Sequence, residues 1–222
     1  MVKPVFAYWD VRGLGQPSRY LLHYKNVDFE DKRYQIEENQ ENWLSEKFTL
    51  GLDFPNLPYY IDDKVKLTQS TTIIRYLGQK HGLDGKTEED RLRVSLAEQQ
   101  IVDFRTSFGL LCYNPEFEKM KVDYVAKVPV QLKLVSDFLG DRKFLAGDYI
   151  TYVDFMAYDV FEYFRYLIPT VLDDFPTLKA YQSRIRQLPQ LQAYFNSATY
   201  RRWPIFSPHA KFGGSGPEPE IK

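Results

Sequence analysis

The chain opens on a short apolar run, Pro4 to Trp9 (PVFAYW), that reads as a buried strand. Alternation along it puts Val5, Ala7 and Trp9 on one face and Phe6 and Tyr8 on the other. A turn-rich stretch, DVRGLGQP, precedes the helical pattern SRYLLHYKN, and residues 28–35 alternate as a second strand. Trp43 to Phe48 reads as a short helical segment. Residues 57–67 read as a hairpin turning at Asp62-Asp63-Lys64, and a helix starts at Gln69 with Gly82 as its stop.

This order, β-α-β-α-β-β-α, is thioredoxin-like, with a parallel strand pair joined by a helix. After a polar linker the pattern is helical almost throughout. Helices are expected over about 90–112, over about 121–139 with Pro129 inside, from Thr151, and near Thr177 and Pro189. Thr151-Tyr152-Val153-Asp154 matches the capping-box pattern. The expected organisation is an α/β thioredoxin-like unit over 1–83, a linker over 84–89, an all-α unit over 90–206, and a tail over 207–222. The tail's GGSGPEPEIK end is expected to be mobile.

Composition narrows the function. A chain of 222 residues that is 44% apolar can build a large core, and 16% aromatics can also line a pocket. A net charge of −1, with acids and bases balanced over the first 83 residues, argues against nucleic acid as a partner. No apolar stretch is long enough to cross a membrane. Met1-Val2-Lys3-Pro4 runs straight into the first strand without a signal-peptide pattern. The single Cys112 makes no intrachain disulfide, which fits a reducing, cytoplasmic compartment. The stretch after the first strand is DVRGLG and holds no C-x-x-C, which disfavours redox work by a protein thiol; Cys112 reads as a packed helix residue.

Three segments together resemble the cytosolic glutathione transferases, the mu class most closely: AYWDVRGLGQPSR, WLSEKFTLGLDFPNLPYYID and LTQSTTIIRYL. LCYNPEFEK and ITYVDFMAYD fall at the matching places of the helical part, and the resemblance spans roughly residues 4–206. It implies glutathione as co-substrate, no tightly bound cofactor, no metal, and a homodimer. Tyr8 would donate a hydrogen bond to the glutathione sulfur; its bland alternative is a core residue beside Phe6. Leu57 before a cis proline would present its backbone to the cysteinyl part, with Asn56 beside it. Gln69 and Ser70 would hold the γ-glutamyl end at a helix start, where free N–H groups suit an anion, though a serine there is otherwise an ordinary cap. Trp43 and Lys47 would meet the glycyl end. Asp103 would reach across the dimer toward the partner's glutathione amine, and Phe54 and Arg75 would lie at the interface.

The resemblance also assigns Trp9, Leu14, Tyr113 and Phe206 to an apolar electrophile pocket, Trp9 and Leu14 touching glutathione as well. Thr106 and Gly109 stand where the family often has larger apolar residues, implying a wider or more polar pocket. The segment QIEENQEN before Trp43 is shorter than the usual mu-class stretch and carries no basic residue, implying a looser grip on the glycyl carboxylate or a border position between the mu and related classes. The favoured function is conjugation of glutathione to small hydrophobic electrophiles in detoxification. The alternatives are a noncatalytic carrier of apolar ligands and a glutathione-dependent isomerase or peroxidase.

Overall fold

The structure, a computed structural model, describes residues 2–36 and 40–221. Strand β1 (Val5–Trp9) lies inside a four-stranded sheet, which is why its middle residues Phe6, Ala7 and Tyr8 are buried on both faces. It pairs in parallel with β2 (Glu30–Tyr34), Tyr8 opposite Arg33. The connection runs through a 3-10 turn, Gly13–Gly15, and helix α1 (Gln16–Tyr24). Helix α2 (Glu41–Leu44) is shorter than the expected Trp43–Phe48 segment and starts two residues earlier. Strand β3 (Tyr59–Ile61) runs antiparallel to β1 and to β4 (Lys66–Thr68), giving the order β2-β1-β3-β4. The expected turn forms because the Asp62 carboxylate accepts the Lys64 and Val65 backbone N–H groups at 2.8 and 2.9 Å.

Helix α3 (Ser70–Lys80) ends where expected, with Gly82 at φ +67 and the Leu83 N–H returning to Gly78 O. The helical part follows: α4 (Glu88–Cys112), α5 (Phe117–Leu139), α6 (Tyr152–Leu167), α7 (Pro176–Arg186) and α8 (Pro189–Phe195). Helix α4 starts at Glu88 because Thr87 and Asp90 form a capping box, the same pattern that starts α6. Helix α5 begins at Phe117 and continues through Pro129.

Helix α6 is the centre of the molecule. It is buried along nearly its whole length and packs on α1, α3, α4 and α7. Burying each of Phe155, Phe161 and Phe164 contributes about 1.5–3 kcal/mol. A Cβ on Gly78 would stand 2.5 Å from the Tyr152 ring, so glycine there lets α3 and α6 meet.

The tail packs where its composition reads as mobile. Ile205 and Phe206 donate backbone hydrogen bonds to Gly213 O, and Phe212 stacks on Phe117 at 5.8 Å. Further along, Trp203 Nε1 donates to Gly216 O, Glu218 pairs with Arg202 and accepts from Tyr166, and Ile221 rests against the core. Aromatic and ionic anchors spaced along a Pro/Gly-rich stretch outweigh its low hydrophobicity.

Candidate active site

The carboxyl end of β1 carries Tyr8 into a cleft of about 390 Å³ between the sheet and the helical part. Tyr8, Trp9, Trp43, Lys47, Asn56, Leu57, Tyr113 and Phe206, all expected at the site, line this one cleft. The Leu57-Pro58 bond is cis, as expected. Leu57 is buried, and its N–H is donated to Asn56 Oδ1 at 2.9 Å.

The Tyr8 ring is 8% exposed and lies flat against the Gly13–Gly15 turn. Burial raises its pKa above the ordinary 10.0; a Leu14 backbone hydrogen bond opposes this, as do Arg19 and Arg105, and Tyr113 adds to it. The phenol is therefore protonated at neutral pH.

Trp43 is buried between Tyr34 and Tyr59, stacked on the latter at 6.1 Å. That packing fixes α2 and holds Lys47, half-buried, at the cleft edge with its ammonium 5.3 Å from the Phe48 ring. Among the described residues, Lys47 is the only Lys or Arg lining the cleft. Of the short segment before α2, Glu37, Glu38 and Asn39 lie outside the described residues; Gln40 lines the cleft at φ +53.

The remaining expected residues stand outside the lining. Leu14 is exposed in the 3-10 turn. Gln69, at φ +70, is the N-cap of α3 and exposed, and Ser70 is its first residue. Because Tyr59 pairs with Thr68, both sit beside the Leu57-Pro58 corner. Asp103 and Thr106 are exposed on α4, and a Cβ on Gly109 would meet nothing within 4 Å. Phe54 is 73% exposed. The Arg75 guanidinium holds the buried Glu98 carboxylate, which also accepts from Tyr152 at 2.8 Å. Burial pushes the Cys112 thiol up to about 12, which fits a packed, unreactive residue.

Sequence reasoning missed Val11, Ile36, Leu44, Ile205, Ser207 and His209 of the lining. Ser207 matters most: its N–H donates to Tyr113 Oη at 3.1 Å, and its hydroxyl lies 3.1 Å from the same atom. The last three belong to the irregular segment after α8, where no periodicity marks which side faces inward.

A family model described as "Glutathione S-transferase, N-terminal domain" matches residues 4–79, and one described as "Glutathione S-transferase, C-terminal domain" matches residues 102–198. The chain is 49% identical over 213 residues to a class-mu 26 kDa glutathione S-transferase, isozyme 7, of Fasciola hepatica, covering 96% of this chain and 97% of that one. It belongs to the mu-class glutathione S-transferases. Glutathione S-transferase Mu 1 of Homo sapiens is 46% identical over 213 residues, covering 94% of this chain and 98% of its own. Among solved structures, the glutathione S-transferase Blo t 8 superposes with a TM-score of 0.88 at 35% identity, over 94% of this chain and 99% of that one. The protein is thus a transferase that conjugates glutathione, built on a thioredoxin-like sheet unit and a helical unit.

Proposed function

We propose that the transferase activates glutathione by a hydrogen bond from the Tyr8 phenol to its sulfur and adds the thiolate to small apolar electrophiles. One observation carries this reading: a buried phenol with a raised pKa stands in the same cleft as the cis Leu57-Pro58 corner. A free thiol has a pKa of about 8.5, so it is mostly protonated at neutral pH. A hydrogen bond to a charged acceptor is worth about 1.5–3 kcal/mol. At about 1.36 kcal/mol per unit, the bound thiol drops by about one to two units. The thiolate becomes a major species with no general base.

The peptide is gripped around that sulfur. Leu57's backbone takes the cysteinyl part, with Asn56 Oδ1 releasing the N–H it now holds. The α3 N-terminus at Gln69 and Ser70 takes the γ-glutamyl carboxylate. Lys47 and Trp43 take the glycyl end, and Asp103 meets the glutathione amine of the partner subunit. Trp9, Leu14, Tyr113 and Phe206 wall the electrophile, and Tyr113 donates toward charge developing on it.

The working unit is a homodimer. The exposed Phe54 ring matches an apolar groove of about 210 Å³ between α4 and α5, lined by Leu96, Ile101, Leu134, Val135 and Phe138. Arg75 lies beside that face through Glu98. Detoxification in the cytoplasm is the setting this chemistry suits. No helix among the described residues is long and apolar enough to cross a membrane.

The test is conjugation of glutathione to a chlorinated nitroaromatic. Tyr8→Phe should lower kcat/KM at neutral pH by about 10- to 100-fold, the equivalent of the lost hydrogen bond. Equal rates for the two proteins would refute the role of the phenol.

A further inference from the structure

The Tyr8 ring and hydroxyl lie directly over the backbone of Gly13 and Gly15. A Cβ on Gly13 would stand 2.8 Å from Tyr8 Oη, and one on Gly15 would stand 2.9 Å from its ring. Gly13 also has φ +39, a conformation glycine accepts freely. Wherever the Gly13 peptide goes, the phenol oxygen must follow.

That peptide is held from both sides by residues far along the chain. The Gly13 N–H donates to Ile205 O at 2.8 Å, and the preceding Arg12 N–H to Pro204 O at 3.0 Å. The Gly13 carbonyl receives the Tyr163 hydroxyl at 3.2 Å. The same hydroxyl faces the Asp159 carboxylate, so its one proton lies between carboxylate and carbonyl. Asp159 in turn binds Arg12 Nε at 2.7 Å, both side chains 1% exposed, and the guanidinium lies over the Tyr163 ring at 5.3 Å. Tyr163 is itself 0% exposed and stacked on Phe108 at 5.7 Å. A buried ion pair is weak evidence of stabilisation but strong evidence that its members have one geometry, because leaving either charge unpaired is costly. Asp159 and Tyr163 are one turn apart on α6, the most deeply packed helix, so they form a rigid clamp on the turn that seats the phenol.

We propose that Tyr163 and Asp159 are positioning residues for catalysis: from the helical unit they fix the Gly13 peptide and thereby aim the Tyr8 hydroxyl at the glutathione sulfur. The inference rests on the reading of Tyr8 as thiolate donor. Neither residue lines the cleft, and their effect passes through the turn.

Tyr163→Phe removes the hydroxyl and keeps the ring. The readout is the ultraviolet absorbance of enzyme-bound thiolate against pH, at saturating glutathione, in wild type, Tyr163→Phe, Tyr8→Phe and the double variant. The expected result is a midpoint raised by about half to one pH unit in Tyr163→Phe, a part of the Tyr8 contribution. The double variant should titrate with Tyr8→Phe and show no further shift. Gly13→Ala, which pushes a methyl at the Tyr8 hydroxyl, should raise the midpoint in the same direction, and it supplies the readout if Tyr163→Phe does not fold. An unmoved midpoint in Tyr163→Phe, with only its melting temperature lowered, would overturn the proposal. So would a double variant showing the sum of both shifts. Failure of the Tyr8 reading looks different: Tyr8→Phe itself would titrate as wild type.

Discussion

At the scale of single residues, environment decides role. The sequence holds 17 tyrosines, and most of them are core. Tyr8 differs in lining a cleft near the carboxyl end of its strand, with the backbone of Gly13 and Gly15 against its ring. His23 is the opposite case, a titratable group with no role in the chemistry. Its ring is stacked on Tyr194 at 3.9 Å, and burial lowers its pKa from 6.5 to about 4, with Asp31 opposing and Arg33 and Arg19 adding. Above pH 6.5 the ring is neutral in both states and its burial costs nothing. As pH falls toward about 4, the unfolded chain binds a proton that the folded one refuses, so stability drops across that window. The expected loss is about 1–2 kcal/mol once solvent screening at a part-exposed ring is allowed for. Urea unfolding at pH 7 and at pH 4.5 should show it in the wild type and show less of it in His23→Gln.

Among these residues the sequence was readable where motif and chemistry coincide. Tyr8, Leu57-Pro58, Trp43 and Lys47 could be named because their spacing matches a known set. Ile205, Ser207 and His209 could not, because an irregular segment gives no period from which to infer a face. Nor could the Asp159 and Tyr163 clamp: a helix buried on all sides hides its functional residues among equally buried neighbours.

At the scale of elements, caps set the helix boundaries. The [ST]-x-x-[DE] pattern starts both α4 and α6, but the two caps differ in worth. Thr87 is exposed, so Thr87→Ala should cost about 1 kcal/mol. Asp154 is 0% exposed and accepts from the Leu145 and Thr151 backbones and from Tyr181 at 2.9, 2.7 and 2.9 Å. Asp154→Ala strands these three buried donors and the Thr151 hydroxyl, at about 1–3 kcal/mol each. A loss of at least about 3 kcal/mol in denaturant unfolding is expected, and a loss near that of Thr87→Ala would show that α6 is not nucleated there. The capping motif and the β-α-β-α-β-β-α order were legible because local chemistry and burial agree on them. The length of α2 was not: four residues give too few turns for a period, and its position is set by Trp43 packing on Tyr59.

At the scale of the molecule, the two units are joined through α6 and through the tail. The tail's packing was illegible because its anchors, Phe212 on Phe117 and Glu218 on Arg202, are long-range pairs that composition does not register. Assembly belongs to this scale too. Phe54 and the α4–α5 groove are each unfavourable in water, and the proposed dimer would bury both. Phe54→Ser should shift sedimentation from dimer toward monomer at micromolar concentration, with the fold retained. An unchanged dimer would remove Phe54 from the interface.

The central claim is that Tyr8 sets the ionisation of bound glutathione. The most direct measurement is the thiolate absorbance of the saturated enzyme across pH 5 to 10, in wild type and in Tyr8→Phe. A wild-type midpoint about one to two units below that of free glutathione, returning most of the way in Tyr8→Phe with glutathione affinity nearly intact, is the predicted result. Superimposable titrations of the two proteins would contradict it.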